Sequence, residues 1–374
     1  MVTNKSNSSL AVLILAAGKG TRMKSKTPKV LHQLLGKPII SHVLNAARYL
    51  EPAAMVVVTG YGAELVEAAV KGPGVVFARQ PQMLGTGHAV GCAKEALAQH
   101  NGLVVILPGD VPLVSPQTLI DFVDAHTFLK ADLSVLTVRV DNPGSYGRVV
   151  RDQSGWLSYI VEARDANEQE LLIDEVNSGI YVADSRRLFE SIANLKPLNS
   201  QKEYYLTDVA ADFRSNNLLV AAIEGQDPFE VQGINDRREL AVAQATLKSR
   251  INESWLLAGV TMADPQTTYI EASVRLAQDV ALGQGVVLMG TTTIGQGAVI
   301  GPYACLKDVE VEPGAVVAAH SCLEGVQSRS SETKAAAKQT ISPKGATKGV
   351  PKGVHGSASG LGKAKKVKES PKSR

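Results

Sequence analysis

The sequence predicts an α/β domain with a mostly parallel sheet, followed by a short left-handed parallel β-helix. Three observations carry this. Apolar runs of strand length alternate with helix-period segments over roughly residues 10–236. Aliphatic residues then recur at strict six-residue intervals. Between the two regions, residues 237–257 read as one connecting helix.

Leu10–Leu15 is a continuous apolar run, as expected of a strand buried on both faces. After Pro38, a good helix-start residue, Ile39, Ile40, Val43, Leu44 and Ala47 recur at helical spacing. Met55–Thr59, Val75–Ala78 and Leu103–Leu107 are further buried strands, with helices over Ala63–Val70 and His88–Ala98. Such alternation gives parallel strands joined by right-handed crossovers. From about Asp132 the pattern becomes strand-rich, which predicts an inserted or antiparallel region.

In the second region Ile270, Leu276, Leu282, Leu288, Ile294, Ile300 and Leu306 stand six apart. After one five-residue step Val311, Val317 and Leu323 resume the register. Neither a helix nor a simple alternating strand has this period. Three six-residue faces make one triangular coil with the aliphatic residue inward, so residues 258–325 hold about three coils. Cys305 and Cys322 precede Leu306 and Leu323, so they are expected to stack on adjacent coils as two buried thiols without a disulfide.

The 374-residue chain is 44% hydrophobic and 20% charged, ordinary for a soluble globular protein of about two domains. Residues 1–9 are polar and expected to be flexible. The run Val12–Ala17 is too short for a membrane span or a signal peptide, and no later run reaches about 18 apolar residues. A cytoplasmic location is therefore expected. The three cysteines, Cys92, Cys305 and Cys322, form neither a disulfide framework nor a zinc pattern. Residues 326–374 carry twelve Lys and Arg against Glu332 and Glu369, which leaves a net acidic body within a total of +3. This stretch is poor in branched aliphatics and aromatics and is expected to be a disordered basic tail. It either solubilises the chain or attaches weakly to anionic partners.

Chemistry enters where the first strand ends. Gly18-Lys19-Gly20-Thr21-Arg22-Met23 is followed by Pro28-Lys29 and His32. Gly18 and Gly20 let the backbone approach a phosphate, while Lys19, Arg22 and Lys29 bring positive charge to the same loop. Met23 stands where both a dinucleotide fingerprint and a Walker-type loop need something else. Asp110 closes the strand Leu103–Leu107, and ligands of open α/β sheets gather at the carboxyl ends of strands. Asn235 alone reads as the cap of the following helix. His88 is expected to form local hydrogen bonds at a helix start.

These motifs resemble the sugar-nucleotide pyrophosphorylases. They look most like the uridyltransferase half of the bifunctional N-acetylglucosamine-1-phosphate uridyltransferase/glucosamine-1-phosphate acetyltransferase family, and the resemblance runs from about Leu10 to Glu324. It implies a Rossmann-like nucleotidyltransferase domain that uses UTP, N-acetylglucosamine 1-phosphate and Mg2+ to make a cell-envelope precursor. Ala16, Ala17 and Gly18 match the backbone segment that meets uracil, and Gly20 lies in the same phosphate-facing loop. Arg22 and Lys29 match the basic residues that hold the triphosphate, and are the catalytic pair. Gln80 matches the glutamine that reads the uracil edge, and Gly85 and Thr86 the adjoining turn; Met83 stands where some relatives carry glutamine. Asp110 and Asn235 match the two magnesium ligands. Gly147, Glu162 and Asn177 match residues that hold the sugar, with Tyr205 and Thr207 beside its acetamido group.

The resemblance also implies a homo-oligomer, with a trimer through the coils. Its second activity, acetyl transfer, is expected to be absent because the phased repeat stops near Leu323. Two other functions fit the sequence: transfer to another sugar 1-phosphate, and a non-catalytic scaffold relative.

Overall fold

The computed structural model describes residues 9–325 and 327–328. The basic tail and the first eight residues of the polar N-terminus thus lie outside the described residues, apart from a strand at Gln327–Ser328.

The apolar run of the first strand builds the centre of the larger sheet. β1 (Ser9–Ala16) lies between β2 (Ala54–Thr59) and β4 (Gly102–Pro108), parallel to both, and β3 (Val75–Arg79) extends the sheet beyond β2. Ala11, Val12, Leu13 and Ile14 are fully buried because helices cover both faces. Ala11 and Leu13 pack into one core and Val12 and Ile14 into the other, as the two-residue strand period requires.

α1 (Ile39–Arg48) and α2 (Ala63–Val70) occupy the segments read as helical. α3 spans Thr86–Cys92, earlier and shorter than expected. Gly85 at φ 111° turns the chain into α3 two residues sooner, and turns replace its second half. α4 (Pro116–Leu129) is capped by Ser115, whose hydroxyl accepts from the Thr118 amide at 3.1 Å.

The strand-rich part folds onto the same sheet. It supplies β5 (Leu133–Arg139), β6 (Arg148–Arg151), β7 (Leu157–Val161), β8 (Glu175–Asp184) and β9 (Val220–Glu224). Along the main path the order is β9-β5-β8-β4-β1-β2-β3, with β6 and β7 as a branch from β8. β8 runs antiparallel to both neighbours, so the sheet is mostly parallel. Its register slips between Asn177 and Tyr181, a bulge that bends the strand beside the end of β4.

After α5 (Ser185–Asn194) and α6 (Asp208–Ser215), α7 (Arg237–Leu257) joins the two regions. Near its start Ala243 and Leu240 pack with Leu34, Ile39, Leu113 and Ile234 of the sheet side. Near its end Ile251 and Trp255 plug the base of the coils, and the Asn252 amide donates to the carbonyls of Pro265 and Thr268 at 2.8 and 3.0 Å.

Beyond α7, short strands form three separate parallel four-stranded sheets, each taking every third strand. Ala281 pairs with Val299 and Val287 with Cys305, one coil of eighteen residues apart. The five-residue step shortens the next spacing, so Val299 pairs with Val316. All phased aliphatic residues from Ile270 to Val317 are buried, while Leu323 is half-buried. Cys305 and Cys322 do lie in register on adjacent coils, but the expectation of two buried thiols fails: Cys305 is half-buried and Cys322 exposed. Leu306 and Leu323 point inward, so each preceding residue points out.

Candidate active site

A cavity of about 440 Å3 opens where β1 and β4 end, beside the bulge in the first half of β8. Ala16, Ala17, Gly18, Lys29, Gln80, Gly85, Thr86, Asp110, Glu162, Asn177 and Thr207 all line it. Gly20, Arg22, Gly147, Tyr205 and Asn235 do not line its wall.

The phosphate-type loop is shaped by two turns. Gly20 has φ 59°, and a Cβ there would lie 2.5 Å from Lys29 Cβ, so only glycine lets the loop fold over the lysine stem. A Cβ on Gly18 would meet nothing within 4 Å, which leaves that backbone open toward the cavity. Arg22 sits on the short 3-10 turn Thr21–Met23 with its side chain exposed outside the wall.

Lys29 is the hub. Its ammonium donates to Asp110 Oδ2, and to Asn235 Oδ1 at 3.1 Å. Asp110 follows β4, and Asn235 is brought beside it by the Ile234 amide, which donates to the Asp110 carbonyl at 2.9 Å. Two oxygens from distant segments thus converge on one cation. Asn235 is not the cap of α7: Asp236 fills that position and accepts from the Glu239 amide at 2.8 Å. The Asn235 side chain is thereby free to turn inward, while its own amide donates to Glu239 at 2.6 Å. Among the described residues no cluster of three or more His, Cys, Asp or Glu side chains could hold a metal alone.

On the opposite wall Gln80 is buried at 5% exposure. Its amide nitrogen donates to the Gly85 carbonyl and to His88 Nδ1, each at 3.0 Å. Gly85 has φ 111°, and a Cβ would come within 2.4 Å of the Tyr204 carbonyl. The turn is locked from that side, since the Gly87 amide donates to Tyr204 and the Leu206 amide to Thr86 Oγ1.

The far end is built by β7, β8 and the segment before α6 (Asp208–Ser215). Thr207 Oγ1 donates to Glu162 Oε1 at 3.2 Å. Burial raises the Glu162 carboxyl above the usual range, with Asp208 and Asp165 adding to the rise and Thr207 opposing it. At the bulge, Asn177 Oδ1 accepts from the Gly179 amide at 2.9 Å, which aims the side chain into the cavity. Gly147 lies behind this wall, its carbonyl accepting from the Asn177 amide at 2.9 Å. Tyr205 is buried, and its hydroxyl accepts from Gln201 at 2.7 Å.

Sequence reasoning missed Tyr181. It lines the cavity at 1% exposure, and its hydroxyl lies beside Asn177 without a well-formed hydrogen bond. Burial pushes that phenol far above its ordinary range, so it stays protonated. The alternation of β8 marks Tyr181 only as core, and nothing in the strand's pattern distinguishes it. His88 carried a signal, its place at a helix start, but not its partner.

Residues 12–206 match the family model of the MobA-like NTP transferase domain. The chain is 44% identical over 303 residues to a bifunctional protein GlmU from Geotalea daltonii, covering 81% of this chain and 66% of the relative. It is 46% identical over 304 residues to the protein of that name from Kineococcus radiotolerans, covering 80% of this chain and 62% of the relative. The chain therefore spans just under two thirds of the length of these curated relatives. A solved UDP-glucose pyrophosphorylase bound to UDP-glucose shares the fold, with TM-score 0.51, 18% identity, and coverage of 65% of this chain and 99% of that one. A putative glucose-1-phosphate thymidylyltransferase from Bacillus anthracis, solved with sucrose, also has TM-score 0.51, at 21% identity, covering 64% of this chain and 95% of that one.

Proposed function

The chain belongs to the family of MobA-like NTP transferase domains, and from that premise we propose that it transfers uridylyl from UTP to N-acetylglucosamine 1-phosphate and releases pyrophosphate. The observation that carries the proposal is one cavity with two unlike ends. At one end the Gly18 loop, Lys29 and Asp110, with Asn235 bonded to Lys29 from outside the wall, suit phosphates and a cation; at the other Glu162, Asn177 and Thr207 suit a polyhydroxylated ring.

The residues divide the work. The open Gly18 backbone and the Gln80–Gly85 wall hold the base, and the Gly20 turn presents Lys29 to the phosphates. Substrate phosphate is a competent nucleophile at neutral pH, so an in-line attack on the α-phosphorus needs alignment and charge stabilisation more than a base. Lys29 meets charge that develops on the phosphates, and Arg22, exposed on the Thr21–Met23 turn, is proposed to meet the departing pyrophosphate. Glu162 and Asn177 orient the sugar so that its phosphate faces the nucleotide.

Asp110 and Asn235 are the residues that would hold Mg2+. They fit it, since two oxygens already converge on an ammonium and the remaining ligands would come from phosphate and water. When bound, the ion supplies charge neutralisation across the triphosphate. Gly147, Tyr205 and Gly20 act from behind the wall by shaping it.

Residues 10–236 form the proposed catalytic domain, 237–257 its linker helix, and 258–325 a left-handed β-helix that supports a trimer. The three parallel sheets and the buried six-residue phase support the β-helix. Among the described residues no helix is long and apolar enough to cross a membrane, and a cytoplasmic site of action is proposed with the reaction. The same protein given acetyl-CoA and glucosamine 1-phosphate is expected to transfer no acetyl group.

The test is pyrophosphate release with Mg2+ from a panel of nucleoside triphosphates and sugar 1-phosphates. UTP with N-acetylglucosamine 1-phosphate is expected to lead the panel. Another leading sugar would revise the acceptor, and no release with any pair would leave a scaffold.

A further inference from the structure

We propose that His88 acts as a positioning residue that fixes the Gln80 amide, and so makes the pocket select a pyrimidine with N–H at ring position 3. The inference deepens the nucleotide reading of the cavity and rests on it.

The Gly85 carbonyl can only accept, so the group 3.0 Å from it must be the Gln80 NH2. The second hydrogen of that NH2 points at His88 Nδ1, also at 3.0 Å. Nδ1 must then carry a lone pair, which places the imidazole proton on Nε2. That nitrogen lies 3.9 Å from Cys92 Sγ, a weak acceptor whose thiol burial keeps protonated. The tilted ring of Tyr204, 6.4 Å from His88 between centroids, flanks the imidazole.

Both N–H bonds of Gln80 are thus used inside the wall. The side chain can offer the cavity only its carbonyl oxygen. Uracil presents N3–H to such an acceptor, whereas cytosine presents a lone pair at the same position. A buried acceptor facing a lone pair leaves two polar groups unsatisfied, which disfavours cytosine by about 10- to 100-fold or more. Without His88, one Gln80 hydrogen loses its partner and the amide is held at Gly85 alone. It can then pivot on that bond and turn the freed N–H toward the cytosine N3 lone pair.

The experiment measures kcat/KM for UTP and for CTP with N-acetylglucosamine 1-phosphate in the parent, His88→Leu and His88→Asn. Leucine removes the acceptor; asparagine places Oδ1 near the former Nδ1. The parent is expected to favour UTP by about 100-fold. His88→Leu should lower the UTP/CTP ratio at least tenfold, mainly through a raised KM for UTP with kcat little changed. His88→Asn should bring the ratio back to within about threefold of the parent, which also shows that the site tolerates substitution. An unchanged ratio in His88→Leu, including equal loss on both nucleotides, overturns the inference while the functional reading stands. A parent inactive on both nucleotides overturns the functional reading and the inference together.

Discussion

The coils and the sheet domain bury comparable aliphatic residues by opposite means. In the coils every inward position repeats at a fixed spacing, and Ile270, Leu288, Ile300 and Leu306 are all fully buried on that schedule. Their outward neighbours, such as Val299 beside Ile300, stand exposed. In the sheet domain no single spacing carries from one element to the next, yet Lys29, Asp110 and Asn235 meet at one point from three distant segments. Periodicity reports a core because packing repeats. Chemistry does not repeat, so it gathers where strands end and the chain is free of packing constraint.

This contrast implies that function and stability separate between the two regions. The largest expected effect is on the sheet side: Lys29→Ala should lower kcat more than 100-fold, about 3 kcal/mol, with thermal unfolding little moved. Near-normal turnover would take Lys29 out of the mechanism. On the coil side Ile300→Ala should cost about 2–5 kcal/mol of stability by opening a cavity, with kcat/KM retained below the new melting point. Equal loss of activity at a temperature where the variant is folded would show that the regions are coupled.

Stability within the sheet domain should depend on acid through His126. This residue is buried against Ser134 Oγ at 2.9 Å, and burial lowers its pKa to about 4. The folded state therefore holds it neutral while the unfolded chain binds a proton below about 6.5. Its contribution is present in full above that value and is lost progressively as pH falls toward 4, to at most about 3 kcal/mol. His126→Gln should shrink the gap between urea midpoints measured at pH 7 and pH 4.5. An undiminished gap would assign the acid sensitivity to other groups.

The smallest effect should come from Glu162. Its pKa is raised because burial penalises the ionised form in the folded state, so stability falls as pH rises through that pKa. Glu162→Gln at pH 7 should melt at or above the parent temperature while KM for the sugar phosphate rises about tenfold. A lower melting point with unchanged KM would make Glu162 structural.

Much of this was legible before the fold was seen, for identifiable reasons. β1 and β2 are written in burial patterns that little else produces. Asp110 is legible because it ends a buried strand. Asn235 is legible only by resemblance, since the sequence offers it as a helix cap and Asp236 takes that role. Glu162 and Thr207 are likewise legible only by resemblance, because their pairing spans 45 residues. Tyr181 is hidden because a strand core position and a cavity wall need the same ring. His88 and Cys305 show the same limit from the other side: spacing gives a residue's neighbours along the chain, and neither its hydrogen-bond partner nor its exposed face.

The most direct test of the account uses UTP labelled at the α-phosphate, incubated with the protein, Mg2+ and N-acetylglucosamine 1-phosphate in a single turnover. The account predicts that the label passes to a UDP-sugar whose mass matches the N-acetylglucosamine conjugate, with one equivalent of unlabelled pyrophosphate. Label that stays in UTP, or passes to UMP or UDP without a sugar, would contradict it.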